Sequence, residues 1–511
     1  MADESGPRVS WPAVLVLLPF AATAARLLWL SRAWPLVHDA PIMHYLAWRI
    51  AGGAVPYRDL FDMNFPGVYL LHMAILGTLG PGDAAWRAFD LGWLTLTAVA
   101  VAALAAAWGL VASLGGGLFF VVYHLAAGPW QTGQRDFLLC PFLLLGALGV
   151  ARWSERGASA SGRLSLALGG LALGAGLTIK PQSALLLAAY GVVVAVMARP
   201  GCRIVPALAT LMVSAVVVPT AVVGWIASLG GIPAWRAIVV EYLLPLYSRL
   251  GSRSSWTFHR WYVWFVIAAA VFLALGDAVV RRRFTTRHAV VALGIGYGLV
   301  HYVGQGKGWE YHLYPLAAFV GAVLFCGPAP RRPRSRPLGV ILAAALVTVG
   351  LLLGLKGVEA SDPAWIRAKE RRVGTIAETL AGRLDPGDTV QVLDTTEGGI
   401  HALLRLRAVE PTRFIYDFHF FHDVGHPTIR ALRAEFAEAL AAHPPRFVVL
   451  LARAWPSGGY ERIDQFPELA RILAAYTVDV REDDYVILAL GAAPRRAPVA
   501  SMGASSVGSG R

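Results

Sequence analysis

The sequence has few charged residues. Only 15% of its 511 residues are Asp, Glu, Lys or Arg, whereas 56% are hydrophobic. Soluble domains carry about 25% charged residues, so most of this chain is unsuited to contact with water. The composition excludes a collagen, a disordered polymer and a disulfide-rich secreted domain. It predicts a polytopic membrane protein.

Cysteine is scarce as well. Cys140, Cys202 and Cys326 lie far apart and have no CxxC or histidine-spaced partner, so neither a disulfide framework nor a zinc site is indicated. The motifs GxxxxGKS/T, GxGxxG, GxSxG and HExxH are also absent. The sequence therefore lends no support to an ATP-driven or a hydrolytic function.

Lysine is the rarest basic residue. It occurs at four positions against a large majority of arginines, and two of these positions, Lys180 and Lys307, are of interest. Lys180 lies in a tight turn between two apolar segments, and Lys307 lies in a glycine-rich loop. A compact ammonium group binds phosphate well, so both are candidate phosphate ligands. The alternative is that each lysine extends to lipid headgroups at the membrane surface.

Apolar segments long enough to cross a bilayer need roughly 17 to 25 residues. A shorter apolar run at 66–80 is bounded by Pro and Gly and predicts a juxtamembrane or half-inserted helix. Eleven segments are predicted to span the membrane: 11–31, 86–108, 109–128, 133–153, 163–179, 181–198, 204–229, 259–280, 288–304, 311–327 and 338–357.

The arginines indicate the orientation of these segments. With eleven spans and a cytoplasmic N-terminus, four arginine-rich loops fall on the cytoplasmic side, as the positive-inside rule requires. Most of the net charge of +13 is then a topology signal rather than a nucleic-acid-binding surface. We therefore expect a multi-pass protein of the cytoplasmic membrane with an extracytoplasmic C-terminus. The four groups are Arg152, Arg156 and Arg163; Arg199 and Arg203; Arg281, Arg282, Arg283 and Arg287; and Arg331, Arg332, Arg334 and Arg336.

The composition changes after residue 358. Residues 1–358 are predicted to form an all-α membrane domain, 359–491 a small extracytoplasmic α/β domain, and 492–511 a disordered Ala/Pro/Ser/Gly-rich tail. Two strand-like runs near the end, Tyr476–Asp479 and Tyr485–Leu490, predict a hairpin. The local histidine cluster His419, His422 and His426 fits no metal-binding spacing and is interpreted as a packed loop.

The first long outer loop, residues 32–65, is rich in acidic and aromatic side chains. It carries Asp39, Asp59 and Asp62, and its length suits amphipathic helices in the membrane interface. For Asp59 and Asp62 the favoured interpretation is a solvated loop residue. A second polar pair, Arg135 and Asp136, begins an otherwise apolar segment. This pair either is functional or consists of two charges that neutralise each other.

These residues, in their order and sidedness, resemble the membrane-embedded GT-C glycosyltransferases, which include bacterial aminoarabinose transferases and protein O-mannosyltransferases. The resemblance covers roughly residues 11–357 and, loosely, the C-terminal domain. It rests on Asp39, Tyr45 and Ala47; on Pro56, Tyr57, Asp59, Pro66 and Tyr69; on Gly80 and Arg87; on Lys180-Pro181; and on the loop from Lys307 to Pro315.

The resemblance implies inverting transfer of a sugar from a polyprenyl-phosphate donor to an envelope lipid, glycan or protein. Asp39 would be the general base. Many relatives have Asp-Glu where this chain has Asp39-Ala40, and Lys-Pro-Pro where it has Asn64-Phe65-Pro66. Because that lysine is missing, other basic residues are candidates to hold the donor phosphate: Lys180, Lys307, Arg135, Arg58 and His312. Four residues are assigned to substrate binding or structure: Asp136, Tyr57, Asp59 and Glu310.

Two other classes of function remain open. A transporter or flippase would place charges in the middle of its spans, and the inner halves of these spans contain almost none. A non-catalytic membrane scaffold would need no acidic first loop. No cofactor is assigned, although a divalent metal is left open, and the partners expected are the lipid-linked donor, the acceptor and membrane lipids.

Overall fold

The computed structural model describes residues 11–196, 203–251, 261–326, 336–453, 455 and 457–491. The predicted tail at 492–511, as well as Arg199, Arg331, Arg332 and Arg334, lie outside these residues. The chain divides into two compact units. The membrane unit comprises Met1–Glu378 and Ile400–Leu406, and the domain boundary at 358 stays a prediction. The C-terminal unit comprises Thr379–Gly399 and Arg407–Arg511.

The membrane unit is helical. Its first eight helices are α1 (Trp11–Ser31), α2 (Asp39–Ala51), α3 (Gly67–Thr78), α4 (Asp83–Ala105), α5 (Leu110–Ala127), α6 (Arg135–Arg156), α7 (Ala160–Ile179) and α8 (Ala184–Val196). The next seven are α9 (Ile204–Ser228), α10 (Ile232–Ala237), α11 (Trp261–Val280), α12 (Thr286–Gln305), α13 (Tyr314–Leu324), α14 (Arg336–Ala360) and α15 (Pro363–Leu380). A π-helical stretch, Ile238–Tyr247, follows α10.

Each of the eleven predicted apolar segments coincides with a helix. Among the described residues, seven helical segments are long and apolar enough to cross a membrane, so the number of eleven spans stays a prediction. The apolar run at 66–80 forms α3, which has 12 residues. At 1.5 Å per residue this helix is about 18 Å long, shorter than a hydrocarbon core of about 30 Å.

Apolar side chains also cover the outside of this unit. Val205 on α9, Phe272 on α11 and Leu355 on α14 are 77%, 76% and 67% exposed. Lipid tails suit such a surface, which would be unfavourable in water. The interior instead uses small residues: a Cβ at Gly174 on α7 would lie 2.3 Å from the backbone oxygen of Ala215 on α9. This close approach of two helix backbones is typical of membrane proteins.

The C-terminal unit contains a four-stranded sheet with the order β1-β2-β4-β3. Its strands are β1 (Val390–Leu393), β2 (Phe447–Leu451), β3 (Tyr476–Arg481) and β4 (Tyr485–Leu490). β1 and β2 are parallel. Between them in sequence are α17 (Pro427–Ala442) and α16 (Gly399–Leu406), and residues Ile400–Leu406 of α16 are counted with the membrane unit. The predicted hairpin is confirmed, because β3 pairs with β4 in antiparallel fashion. A last helix, α18 (Pro467–Leu473), precedes β3.

Two of the three clustered histidines, His419 and His422, lie near the Phe418 ring, and His426 has a different partner. His419 is fully buried, with its ring centroid 4.2 Å from that of Phe418. His426 accepts a hydrogen bond from the Thr428 N–H at the start of α17. Within the described part of the chain, no group of three or more His, Cys, Asp or Glu residues is arranged to hold a metal ion.

Candidate active site

Asp39 begins α2, directly after the loop that leaves α1. Its carboxylate lies 3.5 Å from Arg135 and 3.8 Å from the His38 ring. Burial raises the pKa of the Asp39 carboxyl, but the charges of His38 and Arg135 outweigh it, so the pKa lies below the ordinary value of 3.8. Asp39 is therefore ionised at neutral pH, and its side chain is still 16% exposed.

The next residue after Arg135 lies in a second ionic cluster. Asp136, in the first turn of α6, lies 2.9 Å from the Lys180 ammonium and 2.5 Å from Nε2 of His301. Asp136 and His301 have fully buried side chains. The structure thus pairs Arg135 with Asp39, and Asp136 with Lys180. Mutual neutralisation of Arg135 and Asp136, the alternative left open by the sequence, is not the pairing that is present.

Lys307 lies between α12 and α13 and is nearly buried. Its ammonium donates hydrogen bonds to the carbonyls of Tyr247, at 3.0 Å, and Leu250, at 2.9 Å. Burial and the positive charges of Lys180 and Arg135 together lower the pKa of Lys307 from 10.5 to about 8. The three cations are therefore close enough to act on one another, and a phosphate between them would relieve that repulsion.

His312 lies beside the same cations. It is 2% exposed, and its ring centroid is 6.1 Å from that of His301. The charges of Asp136, Lys180 and Arg135 all act on it. The structure therefore brings together five of the sequence-predicted residues: Asp39, Arg135, Asp136, Lys180 and His312, with Lys307 adjoining them.

Asp62 is a buried carboxylate that sequence reasoning treated as a solvated loop residue. It is 0% exposed and accepts hydrogen bonds from Tyr69, at 2.6 Å, and from Asn64, at 2.9 Å. Burial raises its pKa above 3.8, although these hydrogen bonds and the charge of Arg135 oppose the shift. Asp62 is therefore a second carboxylate near Arg135. The apolar neighbours Leu60, Phe61, Met63 and Phe65 are the sequence signal that could have found it.

Tyr57 supports the Asp62 loop rather than facing the cations. Its hydroxyl donates to the Asn64 carbonyl at 2.8 Å, and its ring stacks on Trp235. Its φ of 69° is a left-handed conformation, which is costly for a bulky residue and needs tertiary support.

Three of the candidate residues form ion pairs apart from this group of charges. Arg58 and Asp59 form an ion pair with each other at 2.7 Å, and their side chains are 59% and 34% exposed. Glu310 pairs with Lys356 of α14. A role for these residues in substrate binding stays a prediction.

The membrane unit contains a further buried polar network, which the sequence did not single out as a site. Arg87 on α4 pairs with Asp90 and reaches the Ser31 hydroxyl on α1. Asp90 lies 3.2 Å from His124, whose other ring nitrogen contacts the Tyr314 hydroxyl at 2.9 Å. Buried charges that are paired in this way link α1, α4, α5 and α13 to one another, and removing one partner of such a pair is strongly destabilising.

Comparison with known proteins is decisive at the level of fold. No protein-family model matches this sequence, and no curated protein sequence is significantly similar to it. The structure, however, is similar to that of ArnT from Cupriavidus metallidurans bound to undecaprenyl phosphate, with a TM-score of 0.63 over 93% of this chain and 97% of ArnT. The identity is 14%. The fold is that of the GT-C glycosyltransferases.

Two other structures agree with this GT-C fold. ArnT in the apo state has a TM-score of 0.63 at 15% identity, over 93% of this chain and 98% of ArnT. The archaeal oligosaccharyltransferase AglB from Archaeoglobus fulgidus, in complex with an inhibitory peptide and a dolichol-phosphate, has a TM-score of 0.50 at 12% identity. That similarity covers 92% of this chain and 73% of AglB. The GT-C resemblance read from the motifs is confirmed at the level of fold.

Proposed function

We propose that this chain is a membrane glycosyltransferase that moves a sugar from a polyprenyl-phosphate donor to an envelope lipid, glycan or protein. The reaction would take place on the outer face of the cytoplasmic membrane. The observation that carries the proposal is the ionised Asp39 beside Arg135, with Lys180 and Lys307 in the same group of charges. The lipid phosphates bound to ArnT and AglB, which share this fold, support the class of donor.

The chemistry needs one base and one cationic site. In a single inverting displacement the acceptor oxygen attacks the anomeric carbon, and the bond from that carbon to the phosphate oxygen breaks. Asp39 takes the proton of the acceptor hydroxyl. The phosphate leaves as an anion that requires positive charge rather than a proton, and Arg135, Lys180 and Lys307 are placed to supply it. The buried His312 imidazole lies beside these cations.

The test compares two aspartate variants in a deletion strain. Mass spectrometry of envelope lipids and polysaccharides from the deletion strain identifies the component that loses a sugar. We expect Asp39→Asn to lower transfer to that component by roughly 10²- to 10⁴-fold without loss of undecaprenyl phosphate binding. The control is Asp483→Asn, because Asp483 is exposed in the turn between β3 and β4.

Two results would contradict the proposal. Full transfer by purified Asp39→Asn protein would exclude Asp39 as the base. An unchanged set of glycans and lipids in the deletion strain, together with substrate uptake into vesicles by the purified protein, would replace the transferase with a transporter.

A further inference from the structure

A polar cavity of about 540 Å³ lies at the end of the membrane unit opposite the candidate active site. It is lined by Ser154 and Glu155 in the last turns of α6, whereas Asp136 lies in the first turn of the same helix. The 18 residues from Asp136 to Ser154 span about 27 Å at 1.5 Å per residue. The predicted topology places this cavity at the cytoplasmic leaflet.

Most charges around the polar cavity are already neutralised. Arg287 donates to Glu155 at 2.8 Å and to the carbonyl of Leu104 at 2.9 Å. Asp277 pairs with Arg281 at 2.5 Å. Arg283 also lines the cavity, and no carboxylate within the described ranges forms an ion pair with it. The Arg283 guanidinium is therefore available to an anionic ligand in this cavity.

His288 adds a second donor to the polar cavity. Its Nδ1 accepts a hydrogen bond from the Thr285 N–H at 3.1 Å. Because a neutral imidazole carries one proton, the proton lies on Nε2, which is then a donor. His288 is 8% exposed and lines the cavity together with Arg283. A guanidinium and an imidazole N–H suit a phosphate group.

An apolar cavity of about 760 Å³ adjoins the polar one. All of its lining side chains are apolar, and it runs between α11, α12 and α13. Leu275 lines both cavities. On α13, Leu316 and Val320 line the apolar cavity, and Val323, on the same helix face, lines the polar one. The two cavities thus follow one another along the same helices.

We propose that these cavities form one binding site for a glycerophospholipid with an anionic headgroup. The phosphate would contact Arg283 and His288, and an acyl chain would lie against α11 in the apolar cavity. The combination of a charged end and an apolar groove along the helices matches an amphiphile of this kind. Basic pockets between transmembrane helices on the cytoplasmic side bind anionic headgroups in this way. The proposal does not depend on the transferase activity.

The first test addresses the headgroup. Dioleoyl-phosphatidylglycerol is titrated against the purified full-length protein in detergent, and binding is followed by native mass spectrometry, with dioleoyl-phosphatidylcholine as the comparison lipid. We expect phosphatidylglycerol to bind more tightly than phosphatidylcholine, and Arg283→Ala to weaken it about tenfold, the effect of one lost charge-assisted hydrogen bond. Arg163→Ala is the control, because Arg163 lies at the same end of the unit but not in either cavity.

The second test addresses the acyl chain with a variant that should fold. A Cβ at Gly276, which lines the apolar cavity, would have no atom within 4 Å. The Cβ of Gly276→Leu therefore meets no neighbour, its side chain takes up space in the apolar cavity, and we expect it to reduce phosphatidylglycerol binding. Gly296→Leu is the matched control, since Gly296 on α12 also has open space but does not line the cavity.

Several outcomes would overturn the proposal. It is wrong if Arg283→Ala and Gly276→Leu both bind phosphatidylglycerol as the wild type does, or if phosphatidylcholine binds equally well. It is also wrong if undecaprenyl phosphate, but not phosphatidylglycerol, is lost in these two variants, because the cavity would then be a second carrier-lipid site. Arg283→Ala and Gly276→Leu should both keep their transferase activity. A loss of phosphatidylglycerol binding in these variants therefore tests the lipid site without testing the proposed function.

Discussion

Carboxylates of similar sequence context have different environments in this protein. Asp39 is ionised beside Arg135, Asp59 is half-exposed beside Arg58, and Asp62 is fully buried among Tyr69 and Asn64. The sequence predicted Asp39 through its place in a motif and misjudged Asp62. Burial is not a local property, and desolvation decides whether a carboxylate is a solvated loop residue or part of a site.

A single residue, Lys307, leads to a prediction of how donor binding depends on pH. With a pKa of about 8, Lys307 is charged below pH 8 and loses its proton as the pH rises through that value. If Lys307 holds the donor phosphate, the affinity for undecaprenyl phosphate should fall by about tenfold between pH 7.5 and 9.5. A bound phosphate favours the ammonium form and would move the decline to somewhat higher pH.

The measurement is equilibrium binding of undecaprenyl phosphate over this range, in which the phosphate itself is already fully ionised. Lys307→Arg should show no decline, because the guanidinium stays charged. A wild-type affinity that does not change with pH would remove Lys307 from the phosphate site and leave it as the residue that holds the carbonyls of Tyr247 and Leu250.

At the scale of single helices, the position of a helix along the sequence was easier to predict than the way it packs against its neighbours. Every apolar segment predicted from the sequence coincides with a helix over the residues that the structure describes, since hydrophobic length is read directly from consecutive residues. The packing of α2 was not predicted. Its length and aromatic content suggested a helix lying in the membrane interface, yet nine of its thirteen residues are buried.

At this scale, the close contact between Gly67, at the start of α3, and Thr178 leads to a testable prediction. A Cβ at Gly67 would lie 2.2 Å from the Thr178 hydroxyl and 2.8 Å from its backbone carbonyl, two residues before Lys180. We expect Gly67→Ala to destabilise the protein by about 1–3 kcal/mol and to lower donor affinity by moving the Lys180 turn. The thermal unfolding temperature and undecaprenyl phosphate binding measure the two effects.

The same helix contains the matched control. Gly77 lies near the end of α3, and a Cβ there would have no atom within 4 Å. Gly77→Ala should therefore leave binding unchanged and stabilise the helix slightly, by up to about 1 kcal/mol. Equal behaviour of the two alanine variants would show that the contact of Gly67 with Thr178 does not control the site.

At the scale of the whole molecule, the arginine distribution predicts the orientation. A cytoplasmic N-terminus and an extracytoplasmic C-terminal unit place Arg163 inside and Asp483 outside. In a variant without the three native cysteines, Asp483→Cys should react with a membrane-impermeant maleimide in intact cells. Arg163→Cys should react only after the membrane is permeabilised. The reverse pattern would invert the topology and place the candidate active site on the cytoplasmic side.

The sequence by itself determined the membrane class, the positions of the helices, the hairpin of β3 and β4, and the acidic segment at residues 32–65 that contains Asp39. These are local properties, because hydrophobic length, strand alternation and charge asymmetry are read from neighbouring residues. Only the tertiary structure decided that Asp136 pairs with His301, 165 residues away, and with Lys180. It also decided that Asp62 is buried and that a polar and an apolar cavity share Leu275. Such pairings depend on which helix faces meet and on how far water is excluded between them, and neither is encoded at a fixed spacing.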